Sequence, residues 1–365
     1  MRLALQPAAD GALVPALAML IREPALWRDR PVRGDILDAS TRDLSGLEAL
    51  RLIRGQPPMG RLTGLTFDGA DEGTAAFTLP VAAWFEWSHG SVPGGVLALA
   101  ADAALGWALQ SLLPPHTQYT TAEMSMTCLR PARVGSMVTA YGRALHAGST
   151  LGLSAGEIID GDGRLVAYST SRMRIFGESE ASVPSRGGTA APPARSSAPH
   201  DSDDGPDPYL RPVSGERIDV SDFRERSGVE IIHAQIRGDL PLAPMHHLLG
   251  ITPTYATLGA ATCAMPVTGW LATPFGWPQG GFIVLLADLA LALATQTTLA
   301  NGEGMASVDI KVNFLRPVAG DGSLLEARAK VVHRGRSLTV GTAEILGADG
   351  RPVALATGSA AIFEA

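Results

Sequence analysis

The chain has 365 residues, 46% of them apolar, enough for two or more sizeable cores. Its net charge of −7 and the lack of any basic run exclude an ordinary nucleic-acid-binding surface. Its two cysteines, Cys128 and Cys263, have neither paired nor metal-type spacing; they read as free thiols in a reducing, cytoplasmic compartment.

Residues 1–44 form an N-terminal extension with no assigned role. Their apolar run "ALVPALAMLI" is too short to span a membrane, is broken by Pro15 and lacks a convincing cleavage site. A short amphipathic helix, Gly46 to Arg54, then leads into a strand, "GTAAFTLPV". A glycine-rich loop opens the long helix "VPGGVLALAADAALGWAL", which is apolar all round and must therefore be buried. Four strand-like runs follow: "TTAEMSMTCLRP", "GSMVTAYGRALHA", "STLGLSAGEIID" and "RLVAYSTSRMRIF", with "DGDGR" as a hairpin turn. The stretch 177–210 is rich in Ser, Pro, Gly and Asp and is expected to be a flexible linker.

Beyond the linker the pattern recurs. "SGVEIIHAQIRG" repeats "SGLEALRLIRG", and "PQGGFIVLLADLALALAT" repeats the long helix. Gly280-Gly281 falls on Gly94-Gly95, Asp288 on Asp102, and Arg316-Pro317 on Arg130-Pro131. A period this long is a duplicated domain rather than a solenoid. The expected units are 45–176 and 211–365, each a long helix wrapped by an antiparallel sheet, an α+β arrangement.

"GWPQGGFIVLLAD", the strand ending "VNFLRPV" and "HRGRSLTVGTAEI" resemble the hotdog-fold thioesterases, most closely the PaaI-like acyl-CoA thioesterases. That family's pattern is roughly N-x-x-G-x-x-H-G-G, five residues, then Ala-Asp. The resemblance covers nearly all of both copies but not residues 1–40 or the linker. It implies a double hotdog, in which the two copies form internally the dimer that single-domain members form from two chains. It also implies acyl-CoA as substrate, with CoA part of the substrate and no separate cofactor. Larger homo-oligomers are common in the family.

The Gly-Gly pair marks each helix start, where free N–H groups and the helix dipole favour an anion or an oxyanion. Asp288 lies eight residues beyond Gly280, about 12 Å along the axis, too far to act at its own helix start. Two antiparallel helices would bring each acid to the other's glycines. The expected composite sites are Gly280 and Gly281 with Asp102, and Gly94 and Gly95 with Asp288, as the family resemblance also implies. A thioester carbonyl would sit on the glycine amides, and the carboxylate would attack it or activate a water. Burial among Leu and Ala should raise the pKa of that acid. By resemblance, Thr121 and Ser307 on the strand after each helix orient the carboxylate or the water. The structural alternatives are an Asp that makes an ordinary hydrogen bond and glycines that serve tight packing.

The pattern is incomplete. The family's histidine is Pro93 in one copy and Gln279 in the other, and its asparagine is Trp87 and Thr273. Gln279 can donate a hydrogen bond and proline cannot, which favours the Asp102 site. His89 could substitute for the lost histidine, although a loop histidine more often faces solvent. By the family resemblance, Arg334, Arg336 and Ser337 in "HRGRS" are candidate contacts for CoA phosphates, with solvated hairpin charge as the alternative; copy one reads "HAGST". Arg130 and Arg316 read equally as structural or functional. His146, His333 and the pair His246-His247 have no spaced partners, so no metal is expected. Hydratases on this fold carry Asp-x(4)-His on the helix; here that position is Trp107 or Leu293, which argues against hydration. The missing histidines motivate the alternative of a non-catalytic acyl-CoA or acyl-carrier binding protein. Leu99, Trp107, Leu285 and Leu293 are candidates to line an acyl tunnel, and the Trp87 and Trp277 loops suggest room for an apolar chain.

Overall fold

The computed structural model describes residues 32–37, 39–87, 92–177 and 206–364. His89, most of the expected linker and most of the N-terminal extension lie outside the described residues.

Copy one begins with α1 (Gly46–Arg51) and α2 (Pro58–Thr63). The hairpin β1 (Thr66–Asp71) and β2 (Thr74–Pro80) follows, where the sequence suggested a single strand. Then come α3 (Leu97–Gln110), β3 (Thr117–Cys128), β4 (Met137–Ala147), β5 (Leu151–Asp160) and β6 (Leu165–Gly177). Copy two has α4 (Val220–Glu225), α5 (Gly228–Arg237), α6 (Pro244–Leu249), β7 (Thr252–Thr257) and β8 (Ala260–Pro266). It continues with α7 (Gly280–Gln296), β9 (Glu303–Phe314), β10 (Leu324–Arg334), β11 (Leu338–Leu346) and β12 (Pro352–Glu364). The leading helices start alike. Ser45 and Ser227 each form a capping box with a glutamate three residues on, Glu48 and Glu230, satisfying amides that the first turn leaves unpaired.

The twelve strands among the described residues make one antiparallel sheet, ordered β1-β2-β4-β5-β6-β3-β9-β12-β11-β10-β8-β7. The order reads the same from either end, so the copies are related by a pseudo-two-fold axis at the β3–β9 seam. The register there fixes the axis: Ser125 faces its own counterpart, Lys311, and Glu123↔Asn313 mirrors Thr127↔Asp309. This is a double hotdog.

The sheet wraps the two long helices. Every residue of α3 is buried, and so is every residue of α7 after Gly280. A helix without a polar face has no stable place at a surface, and each leucine so buried contributes about 2 kcal/mol. Trp107, offered above for a tunnel, instead packs against Phe67, Phe77 and Phe275. Trp87 packs on His246, at 5.1 Å between ring centroids, and Trp277 is exposed.

The described part of the extension is tied to both copies. Asp35 N–H donates to Gln56 O (3.0 Å), and Leu37 N–H donates to Pro274 O (2.6 Å). The end of the expected linker is tied down as well: Arg61 pairs with Asp207 at 3.2 Å, and Pro208 is buried.

Candidate active site

The two long helices meet antiparallel at their glycine-rich starts. A Cβ on Gly95 would lie 2.8 Å from Leu285 Cα, and one on Gly281 would lie 2.7 Å from Ala98 O and 3.0 Å from Leu99 Cα. Only glycine permits so close an approach of two backbones. Leu99 and Leu285 therefore sit at the helix–helix contact.

That approach brings each acid to the other helix's amides. Gly281 N–H donates to Asp102 Oδ2 at 3.0 Å, and Gly95 N–H donates to Asp288 Oδ2 at 2.8 Å. Both acids are nearly enclosed, at 8% and 3% exposure. Thr121 Oγ1 donates to Asp102 Oδ1 at 3.3 Å, and the Ser307 hydroxyl does the same for Asp288. A β-bulge aims each hydroxyl inward. The β3–β6 register slips between Thr121 and Glu123, and the β9–β12 register slips between Ser307 and Asp309. Bulges re-aim side chains in this way.

Burial dominates the electrostatics. It raises Asp102 to about 6, against the lowering by the Gly281 amide, Thr121 and the Gly280 amide. Asp288 is raised for the same first reason, against Gly95 and Ser307. A carboxyl that holds its proton more tightly folded than unfolded destabilises the fold when ionised. For Asp102 that cost is complete above about pH 6 and vanishes below the unfolded value near 4. The Asp102→Asn variant should therefore melt several degrees higher than wild type at pH 8. The gain should shrink as the pH falls from 6 to 4, as melting curves across that range would show; a variant no more stable at pH 8 would contradict the burial argument.

Other expected residues are placed differently. The Gln279 side-chain amide donates to Leu99 O at 2.7 Å and so ties α7 to α3 instead of awaiting a substrate; its Oε1 is buried without a partner. The preference for the Asp102 site thereby loses its ground. Arg334 is held by Glu303 in a two-pronged ion pair at 3.0 and 2.8 Å. Arg336 and Ser337 stand exposed in the same hairpin. Arg130 and Arg316 clasp the hairpins after β5 and β11: Arg130 donates to Leu165 O, and Arg316 pairs with Asp349 at 3.0 Å. Among the described residues no group of three or more His, Cys, Asp or Glu could hold a metal ion.

Three neighbours of the acids were missed by sequence reasoning. Tyr119 shares the Asp102 environment: burial chiefly, then the Asp102 charge, pushes its hydroxyl far above the ordinary tyrosine range. Cys128 lies against Gly94, and burial followed by the charges of Asp288 and Asp309 pushes its thiol up to about 12. At the other site Phe314 approaches Gly280 in its place. Aligning the copies pairs Tyr119 with Met305 and Cys128 with Phe314, so the signal was the mismatch between copies.

The thioesterase superfamily model matches residues 89–167 and 279–354, one stretch in each copy. Each of these two stretches is thus similar to the thioesterase superfamily. Each matched stretch holds one long helix and its acid. A curated relative, a putative esterase of Haemophilus influenzae, is 37% identical over 76 residues, 21% of this chain and 54% of the relative. The chain thus spans about half the length of that relative. Among solved structures, the E. coli PaaI protein of the phenylacetic acid degradation operon is 24% identical, covering 38% of this chain and 97% of that one, with a TM-score of 0.33. An acyl-CoA thioesterase II from Mycobacterium marinum is 11% identical, covering 84% of this chain and 97% of that one, with a TM-score of 0.49. Among the described residues no helix is long and apolar enough to cross a membrane.

Proposed function

We propose that the chain hydrolyses an acyl-CoA thioester to the free acid and CoA. The observation that carries this reading is the acid of each long helix bonded to a glycine amide at the start of the other. The amide now held by the carboxylate is the natural donor to a carbonyl oxygen that becomes negative as the thioester is attacked. When the carbonyl takes that donor, the carboxylate loses one stabilising bond and becomes more basic. It then attacks the carbonyl carbon itself or takes a proton from an attacking water, while Ser307 or Thr121 keeps it oriented. In the water route the carboxyl returns that proton to the sulfur and CoA leaves as the thiol; in the direct route CoA leaves as the thiolate, and water then hydrolyses the mixed anhydride to the free acid and the carboxylate, its second proton going to the thiolate. The CoA phosphates find Arg336 and Ser337 at the β10–β11 hairpin; Arg334 can join them only by giving up Glu303.

The test is release of CoA from a panel of acyl-CoAs, read with a thiol reagent. The carboxylate must be ionised to work, so kcat/KM should fall as acidification protonates it. Because burial raises both acids, the limb should lie above the ordinary aspartate value of about 4. A profile flat down to pH 4 would argue against these acids. Tight binding of acyl-CoA in calorimetry with no turnover would favour the acyl-binding alternative.

A further inference from the structure

The two composite sites are built from equivalent residues but differ in the space they leave. A narrow cleft of about 10 Å³, room for roughly one water, reaches Asp288 between α7 and the sheet. Its walls include Ala292 and Met305, and the glycines Gly341 and Gly358 that face each other across β11 and β12. In copy one Ala292 corresponds to Gly106 and Met305 to Tyr119. The Tyr119 side chain reaches α3 and sets its hydroxyl where a Cβ on Gly106 would be, 2.3 Å from that position. The facing glycines are replaced by Ser154 and Ser171, paired in the same register and both buried. At the rim, Arg172 covers Glu123 with a 2.9 Å ion pair, where copy two has the smaller Ser359 beside Asp309. Side chains thus fill in copy one what is cleft in copy two.

The amides themselves are matched: Gly281 N–H donates to Asp102 and Gly95 N–H donates to Asp288, so the difference lies in the space around the acids.

We propose that the acyl thioester enters one composite site per molecule, the Asp288 site, and that Tyr119 is the residue that closes the other. This rests on the thioester reading above. The experiment takes the acyl-CoA hydrolysed fastest and its non-hydrolysable thioether analogue. Wild-type protein should bind one analogue per chain in calorimetry. Met305→Tyr, which places copy one's plug in copy two, should lower kcat/KM at least twentyfold, mostly through KM. Tyr119→Met should raise the bound stoichiometry from one towards two. Two analogues bound per wild-type chain would overturn the assignment. So would a Met305→Tyr variant within twofold of wild type. The wild-type stoichiometry decides the matter even if a variant fails to fold. Absence of turnover with every acyl-CoA would instead remove the thioester reading itself.

Discussion

A protein carrying Asp102→Asn together with Asp288→Asn should fold and yet release no CoA above background, a loss in kcat of about a thousandfold or more. A positioned carboxylate acting as base is worth roughly 10²–10⁴ in rate, and a nucleophile with no substitute is worth more. The amide is nearly isosteric with the acid. Its oxygen can still accept from Gly281 or Gly95, and its NH2 can donate to Thr121 or Ser307, so the loss is chemical and not architectural. Far-ultraviolet circular dichroism and melting curves establish folding; a thiol-release assay reads turnover. If the double variant keeps wild-type turnover, the carboxylates have no part in the reaction. Asp288→Asn alone should account for nearly the whole loss if the cleft beside it is the working entrance.

Gly95→Val and Gly281→Val should each cost about 3 kcal/mol of stability or more. Overpacking a dense core costs typically 1–3 kcal/mol, and here even the first carbon meets backbone: Leu285 Cα at 2.8 Å for Gly95, Ala98 O at 2.7 Å for Gly281. Backbone of a buried helix cannot turn aside as a side chain can, so the helices must separate. Separation would also pull each acid from its amide, and activity should fall with stability. Gly161→Ala is the control, since nothing lies within 4 Å of its added carbon. Denaturant unfolding measures the difference. A Gly95 or Gly281 variant within about 0.5 kcal/mol of wild type would mean that the helices do not touch there.

Much of this was legible in the sequence for a physical reason. An all-apolar helix has one possible location, and Gly-Gly followed by Asp, occurring twice, carries its own geometry: the spacing along one helix forbids a local site and calls for a second helix. The Ser-x-x-Glu boxes at Ser45 and Ser227 are equally local and equally readable. What escaped depends on partners far along the chain. The bulges beside Thr121 and Ser307 are slips in register against β6 and β12, and no property of β3 or β9 alone encodes them. Gln279 has the chemistry to polarise a carbonyl, but its reach to Leu99 O depends on how two helices pack. Arg334 has the chemistry to hold a phosphate, but Glu303, 31 residues earlier, claims it. The short β1 was missed because "LTFDGADE" alternates weakly and its pairing with β2 turns on Gly73, at φ +75°.

The most direct measurement is a structure of the full chain with a non-hydrolysable ketone analogue of its preferred acyl-CoA, in which a methylene separates the carbonyl from the sulfur. The expected density places the carbonyl carbon beside the Asp288 carboxylate, with its oxygen on the amides of Gly94 and Gly95 from the opposite copy. An analogue seated on the glycines of α7 with its reacting carbon far from either acid, or bound away from both helix starts, would contradict the account.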